Sequence, residues 1–267
     1  MGKQKSEKPV EYILSLSYGK DSLACLGAIE ELGWPLDRIV HAEVWATETI
    51  PADLPQMVEF KKKADAIIKA RWGIEVEHIR SKYSYESRFY KICEGKNEDF
   101  RGKITGFPGI IRNWCNSELK VNPMDKVKRG CVSYLGIAVD EPGRFHNLSK
   151  TKKSPLVEAG WTEQKCREWC EENGLLSPIY ESSARGGCWF CHYQGVEQLR
   201  LLRKNFPEYW ALMLIWDKDS PRSFHTDGHT VHDFERRFQM EDEKLLSPDD
   251  RKFRWTMLEE ALNYRLF

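Results

Sequence analysis

With 267 residues, 41 Lys plus Arg against 41 Asp plus Glu, and eight cysteines, the chain can bury a large core and carries no net charge. That balance excludes a protein that coats nucleic acid by bulk charge, leaving only a local basic patch open, and no apolar run of about 18 residues is present to span a membrane. The polar opening 1–8 lacks the apolar core of a signal peptide, and Gly2 with Ser6 fits a myristoylation pattern by composition alone. The cysteines are therefore expected to be thiols, metal ligands or catalytic groups in a cytoplasmic protein.

Residues 1–10 read as a solvated tail. Residues 12–16, Tyr-Ile-Leu-Ser-Leu, form a short apolar run expected as a buried parallel strand. From Ser22 onward, Leu23, Leu26, Ala28 and Ile29 mark one face of a helix. Between them lies Ser17-Tyr18-Gly19-Lys20-Asp21-Ser22. A strand that turns through a glycine into a helix leaves backbone N–H groups converging on one spot, and the helix dipole adds to their pull on an anion. Ser17 and Ser22 bring hydroxyls, Gly19 permits close approach and Lys20 brings charge. The pattern is a phosphate cradle, distinct from Gly-x-x-x-x-Gly-Lys-[Ser/Thr]. Its plain alternative is a strand–turn–helix corner with Asp21 as cap.

Gly33-Trp34-Pro35 closes that helix, residues 38–45 read as a second strand, and 47–51 form the loop at its carboxyl end. Residues 54–72 make an amphipathic helix with Met57, Phe60, Ala64, Ile67 and Ile68 inward and the lysine run 61–63 on a solvated face. Gly73 ends it, and 74–79 alternate as a third strand. Strand and helix in strict alternation predict an α/β fold with a doubly wound, mostly parallel sheet, which binds ligands at the carboxyl ends of its strands.

Farther on, Pro108-Gly109-Ile110-Ile111-Arg112-Asn113-Trp114-Cys115 leads into Lys120-Val121-Asn122-Pro123-Met124. Arg112 and Lys120 are candidate grips for anionic groups, and Cys115, lying between two cations, is expected to ionise more easily than a core thiol. Residues 131–139 read as a buried strand, which places Asp140 at the ligand edge. The basic stretch 150–154 reads as a flexible connection. Thr162 caps a helix through Glu172, on which Cys166 and Cys170 share a half-buried face.

Arg185-Gly186-Gly187-Cys188-Trp189-Phe190-Cys191-His192 is a Cys-x-x-Cys knuckle whose glycines let two sulfurs face one metal. A thioredoxin-type redox pair is the competing reading, but its βαβ setting is missing. Residues 196–206 and 207–216 read as helices with Leu199, Leu202, Phe206, Trp210, Leu214 and Ile215 as core. His225, His229 and His232 surround the Asp227-Gly228 turn and read as solvent-facing turn residues rather than a metal cluster. A last amphipathic helix is expected from about 248 to 264. The expected division is a tail 1–10, a nucleotide-binding α/β domain 11–150, and a helical region 151–267 carrying the knuckle.

The Ser-x-Gly-Lys-Asp-Ser pattern at 17–22 resembles the PP-loop of the ATP-pyrophosphatase and sulfonucleotide-reductase superfamily. The segment Arg112-x-x-Cys115-x-x-x-x-Lys120-Val121-x-Pro123-Met124 looks like one in its phosphoadenosine phosphosulfate (PAPS) reductase-like family. The resemblance runs from residue 12 to about 216. It implies an adenine nucleotide, ATP or a sulfated relative, held through its phosphates by Ser17, Gly19, Lys20, Asp21 and Ser22 with Mg²⁺. It implies further contacts from Thr47, in a loop that matches the family's in part, and from Arg112, Lys120 and Asp140. Ala138 stands where the family pattern before Asp140 has an arginine, although Arg144 is near.

Iron–sulfur members of the family pair two adjacent cysteines before the Lys-Val step with a later Cys-x-x-Cys. Here Trp114-Cys115 offers one sulfur fewer. The implied ligands are Cys115, Cys188 and Cys191, with Cys131 or His192 available as a fourth. They would hold either a [4Fe-4S] cluster with an open iron that carries a sulfur species, or a closed Zn²⁺. The C-terminus also lacks the Glu-Cys-Gly-type thiol with which the reductases attack the sulfonate, since the last cysteine is Cys191. The resemblance thus implies adenylation of an acceptor with pyrophosphate release, followed by sulfur transfer, with Lys20, Asp21 and Cys115 as the catalytic residues. Sulfonucleotide reduction and a non-catalytic nucleotide-binding partner or sensor are the alternatives. The acceptor (a tRNA, DNA or a metabolite), a sulfur-donor protein and the oligomeric state stay open.

Overall fold

Short apolar runs alternating with amphipathic stretches fold as a parallel sheet in the computed structural model, which describes residues 10–95, 98–109, 113–146, 148–181 and 187–265. The chain begins β1 (Tyr12–Ser15), α1 (Lys20–Leu32), β2 (Arg38–Glu43), α2 (Pro55–Trp72) and β3 (Val76–Arg80). Both long helices end on a left-handed glycine, Gly33 at φ 61° and Gly73 at φ 69°. There follow α3 (Tyr85–Phe89), α4 (Trp114–Asn116), a π-helical turn (Ser117–Val121), α5 (Asn122–Val127) and β4 (Val132–Tyr134). Next come α6 (Pro142–Phe145), β5 (Lys152–Lys153), α7 (Pro155–Glu158) and α8 (Glu163–Glu172). The chain closes with α9 (Val196–Asn205), α10 (Pro207–Asp219), α11 (Val231–Asp242) and α12 (Thr256–Arg265).

The five-stranded sheet has the order β3-β2-β1-β4-β5, and every pair is parallel. The strand register puts Leu14 beside Ile39 on one face, in a core with Leu23, Leu26, Ile68 and Cys170 from the helices. Ile13 and Val40 point to the other face, where Met124 of α5 covers them. Side chains alternate across the pleat, so a sheet with helices on both faces needs apolar residues at successive positions. That is the doubly wound arrangement the alternation predicts. The order reverses between β1 and β4, which makes their shared carboxyl edge the switch point where such sheets bind ligands.

The chain divides into two compact units, residues 1–84 with 115–187 and residues 85–114 with 188–267. A single break at 150 was expected, and the difference has a physical cause on each side. α8 packs on α1 through buried Cys166 and Cys170, so residues 151–187 belong with the sheet. Gly27 makes this approach fit, because a β-carbon there would lie 2.4 Å from the Trp169 indole. In the second unit Tyr85 meets Phe190 at 4.2 Å and Trp216 at 5.2 Å, while Phe107 meets Phe224 at 5.2 Å. These aromatic contacts, worth about 1 kcal/mol each beyond burial, draw 85–114 to the C-terminal helices.

Three local expectations change. The strand expected over 131–139 stops at Tyr134, because the chain then passes against the first turn of α1. The basic connection at 150–154 contains β5, which pairs with β4. Lys61, expected in solvent, is buried between strand and helix. In the second unit, Leu199, Leu202 and Trp210 are core as expected and Trp216 is buried as well, whereas Ile215 is 55% exposed. A buried ion network ties this unit's helices: Arg237 pairs with Glu241 at 2.8 Å and also with Asp250, and Arg200 reaches Glu241 at 2.7 Å.

Candidate anion-binding loop at the switch point

The chain leaves β1 at the switch point and enters α1 through residues 16–19. The Ser17 N–H and hydroxyl both donate to Ser22 Oγ, at 3.1 and 2.9 Å, and Ser22 Oγ donates to the Gly19 carbonyl at 2.9 Å. Ser22 thereby closes the loop on itself. The helix starts two residues before the expected Ser22, so Asp21 lies within its first turn and Gly19 is the N-cap, with no side-chain cap bond. First-turn N–H groups must then find partners outside the helix. The Lys20 N–H donates to the Tyr180 hydroxyl at 3.1 Å.

Gly136 explains how the other side of the crevice comes so close. A β-carbon there would sit 2.6 Å from the Ser22 nitrogen and 2.7 Å from the Asp21 carbonyl carbon, both backbone atoms with little freedom to shift.

Lys20 Nζ donates to Asp21 at 2.6 Å and to Glu163, at the start of α8, at 2.9 Å. Burial lowers the lysine's pKa, but its bonds to Asp21 and Glu163 outweigh burial and raise it overall. Burial raises the Asp21 carboxyl pKa; Lys20 opposes that rise, while Glu163 and Glu141 add to it. Asp140 holds this corner in place by accepting the Glu163 N–H at 3.1 and 3.2 Å. One cation among several carboxylates is a setting that favours a divalent ion alongside any phosphate.

Beneath the loop lies a polar network that sequence reasoning missed. Tyr18 has φ 57° and is 1% exposed. Its hydroxyl donates to Asp65 of α2 and lies 3.2 Å from His78 Nε2 of β3. His78 also contacts Asp65 and Glu43, each at 2.9 Å, and these bonds hold its pKa up at about 9. His41 of β2 sits edge-on to the Tyr18 ring at 4.8 Å. Its Nδ1 donates to the Leu16 carbonyl at 2.9 Å, and its Nε2 accepts from Lys61 at 2.8 Å, Lys61 being also bound to Asp53. Burial first, and then the Lys61 charge, hold the His41 pKa down at about 3, so its ring is neutral. The available signal was an ionisable residue at an apolar strand position, His41 between Val40 and Ala42.

Thr47 lies in the loop beyond β2, at the same edge, where its hydroxyl accepts from the Ile50 N–H at 3.0 Å. Arg112 lies outside the described residues. Lys120 is exposed on the π-helical turn, whose helix α5 packs on the sheet, and Cys115 is half-buried on α4. Cys131 lies at the opposite, amino edge of the sheet, its Sγ 3.6 Å from Glu11, with its pKa raised by burial and by that carboxylate. Burial also raises Cys25, Cys166, which reaches about 12, and Cys170, and it keeps these core thiols protonated.

In the second unit Cys188 and Cys191 close a tight turn, with the Cys191 N–H donating to the Cys188 carbonyl at 3.0 Å. Both are half-buried, while Trp189 between them stacks on Trp216 at 5.8 Å. The turn thus brings the two cysteine backbones together, the spacing of a two-cysteine metal knuckle. Among the described residues, no group of three or more His, Cys, Asp or Glu is placed to hold a metal ion. His225 and His229 flank the expected turn, with His229 stacked on Trp255 at 3.7 Å and His232 bound to Asp217 at 2.5 Å. Also among the described residues, no helix is long and apolar enough to cross a membrane.

No protein-family model matches the chain, and no curated protein matches it. Among solved structures it is similar to the U34-tRNA thiolase NcsA from Methanococcus maripaludis with its [4Fe-4S] cluster, at 15% identity and a TM-score of 0.39. The match covers 81% of this chain and 74% of that one.

Proposed function

We propose that the chain is a PP-loop enzyme that binds Mg²⁺-ATP and adenylates an acceptor with release of pyrophosphate, preparing it for sulfur transfer. One observation carries the reading: the Ser17–Ser22 loop, closed by its own hydroxyls, opens into the amino end of α1 at the switch point of a parallel sheet. An acceptor oxygen attacks the α-phosphorus, the bond to the bridging oxygen breaks, and pyrophosphate departs. A sulfur nucleophile then displaces AMP from the activated carbon. Lys20 exchanges its bonds to Asp21 and Glu163 for phosphate oxygens and offsets charge on the leaving group. Asp21 supplies a carboxylate to the metal that accompanies the nucleotide.

Cys188 and Cys191 would supply two thiolates to an iron–sulfur cluster or to zinc. Such a cluster, when bound, would hold and deliver sulfur. The function test measures Mg²⁺-ATP binding by calorimetry, and then pyrophosphate and sulfite release with tRNA, DNA and sulfated nucleotide offered in turn. Pyrophosphate dependent on both ATP and an acceptor supports the proposal. Sulfite from the sulfated nucleotide would make the chain a reductase, and tight binding with neither product would make it a binding subunit. The metal test is anaerobic purification with iron, sulfide and zinc counts, repeated for Cys188→Ala and Cys191→Ala. Loss of iron in both variants assigns both cysteines to one cluster, and a colourless zinc protein removes sulfur relay.

A further inference from the structure

The left-handed turn at residue 18 is one that glycine adopts freely and side-chain-bearing residues avoid. A buried tyrosine occupies it instead, and two polar side chains hold its hydroxyl. The hydroxyl donates to Asp65 and approaches His78 within 3.2 Å. His78 is anchored in turn by Glu43 and Asp65, each at 2.9 Å. The ring meets the His41 edge at 4.8 Å and the Lys61 ammonium at 5.1 Å. His41 also grips the loop two residues earlier, at the Leu16 carbonyl, at 2.9 Å. Residues 16 and 18 are thus pinned from β2, β3 and α2, while Ser22 closes the other end of the loop.

We propose that Tyr18 is the positioning residue of the anion-binding loop, and that the Asp65–His78 clamp on its hydroxyl holds the loop open for phosphate before any nucleotide arrives. The inference rests on reading residues 17–22 as a phosphate cradle. A loop without this clamp would relax toward ordinary backbone angles, and binding would have to reorder it. Tyr18 therefore acts through backbone geometry rather than by touching the ligand, and the strained angle persists because its surroundings over-determine it.

The experiment compares wild type, Tyr18→Phe, Asp65→Asn and the double variant by two readouts. The first is amide hydrogen exchange of the ligand-free protein, comparing residues 17–22 with residues 38–43. The second is Mg²⁺-ATP affinity by calorimetry. The expected result is faster exchange confined to 17–22 in Tyr18→Phe, with affinity about tenfold weaker, the scale of one hydrogen bond to a charged acceptor. The double variant should be no worse than the weaker single one, since both substitutions remove the same Tyr18–Asp65 bond, while Asp65→Asn also weakens the anchor on His78. Unchanged loop exchange in Tyr18→Phe overturns the clamp. Exchange that rises equally across the sheet, with ATP affinity preserved, also overturns it, because the hydroxyl would then serve general stability. Wild type that binds no ATP, with loop exchange still rising selectively in Tyr18→Phe, leaves the clamp standing and removes the nucleotide reading.

Discussion

His41 and His78 lie with ring centres 5.6 Å apart, yet they titrate in opposite directions, and this bounds stability from both sides of neutrality. His41 falls from 6.5 to about 3 on folding, so below pH 6.5 the unfolded chain takes up a proton that the folded one refuses. Stability is therefore lost as pH falls from 6.5 toward 3. At pH 5.5 the loss is about 1.4 kcal/mol, a figure governed by the unfolded pKa because the folded one lies far lower. His78 rises from 6.5 to about 9, so its contribution is complete below 6.5 and is lost as pH climbs through 9. Between pH 6.5 and 8 that loss is about 1.6 kcal/mol, reduced to about 1 kcal/mol because the ring is partly exposed. Denaturant unfolding of wild type, His41→Gln and His78→Gln from pH 5 to 9 should show a maximum near pH 6.5–7 in wild type. The acid limb flattens in His41→Gln and the basic limb in His78→Gln. The slopes are the readout, whatever each substitution does to absolute stability. An acid limb of unchanged slope in His41→Gln would refute the neutral, Lys61-bound ring.

Gly136→Ala places a β-carbon 2.6 Å from the Ser22 nitrogen. It should cost about 2–3 kcal/mol by the usual scale of overpacking and weaken nucleotide binding more than about tenfold, as read by denaturation and calorimetry. Glu163→Gln frees Lys20 from one of its two carboxylates. Mg²⁺-ATP should then bind about threefold more tightly at low salt, on the scale of a partly exposed ion pair; weaker binding would mean that Glu163 serves the bound metal instead. Arg237→Leu strips one partner from Glu241, whose side chain is 6% exposed. It should cost about 3 kcal/mol in unfolding experiments, with part of that recovered by the additional Glu241→Leu change.

The first half of the sheet was legible because its signals are local. Apolar runs with glycine stops marked the first three strands and the two long helices, and the Ser-x-Gly-Lys-Asp-Ser loop announced its own junction. β4 and β5 were not legible as they stand, since three- and two-residue strands are set by neighbouring backbone rather than by their own pattern. Lys61 was misread because its neighbours Lys62 and Lys63 are exposed, and helical phase alone turns it toward His41. The clamp on Tyr18 draws on residues 41, 43, 61, 65 and 78, whose convergence is a property of the sheet and has no signature in any short stretch. The boundaries of the two units were hidden for the same reason, because residues 85–114 join partners farther along the chain.

That interleaving sets an order for synthesis. Tyr85, Phe89 and Phe107 leave the ribosome before residues 115–187, yet their aromatic partners Phe190, Trp216 and Phe224 come only afterwards. While the central strand β1 awaits β4, a sticky aromatic segment hangs from the nascent chain with nothing to cover it. Chaperone capture should therefore peak on chains stalled between residues 115 and 187. Neither unit can be released by a single cut: a truncation after 187 keeps the sheet but strands 85–114 without its core.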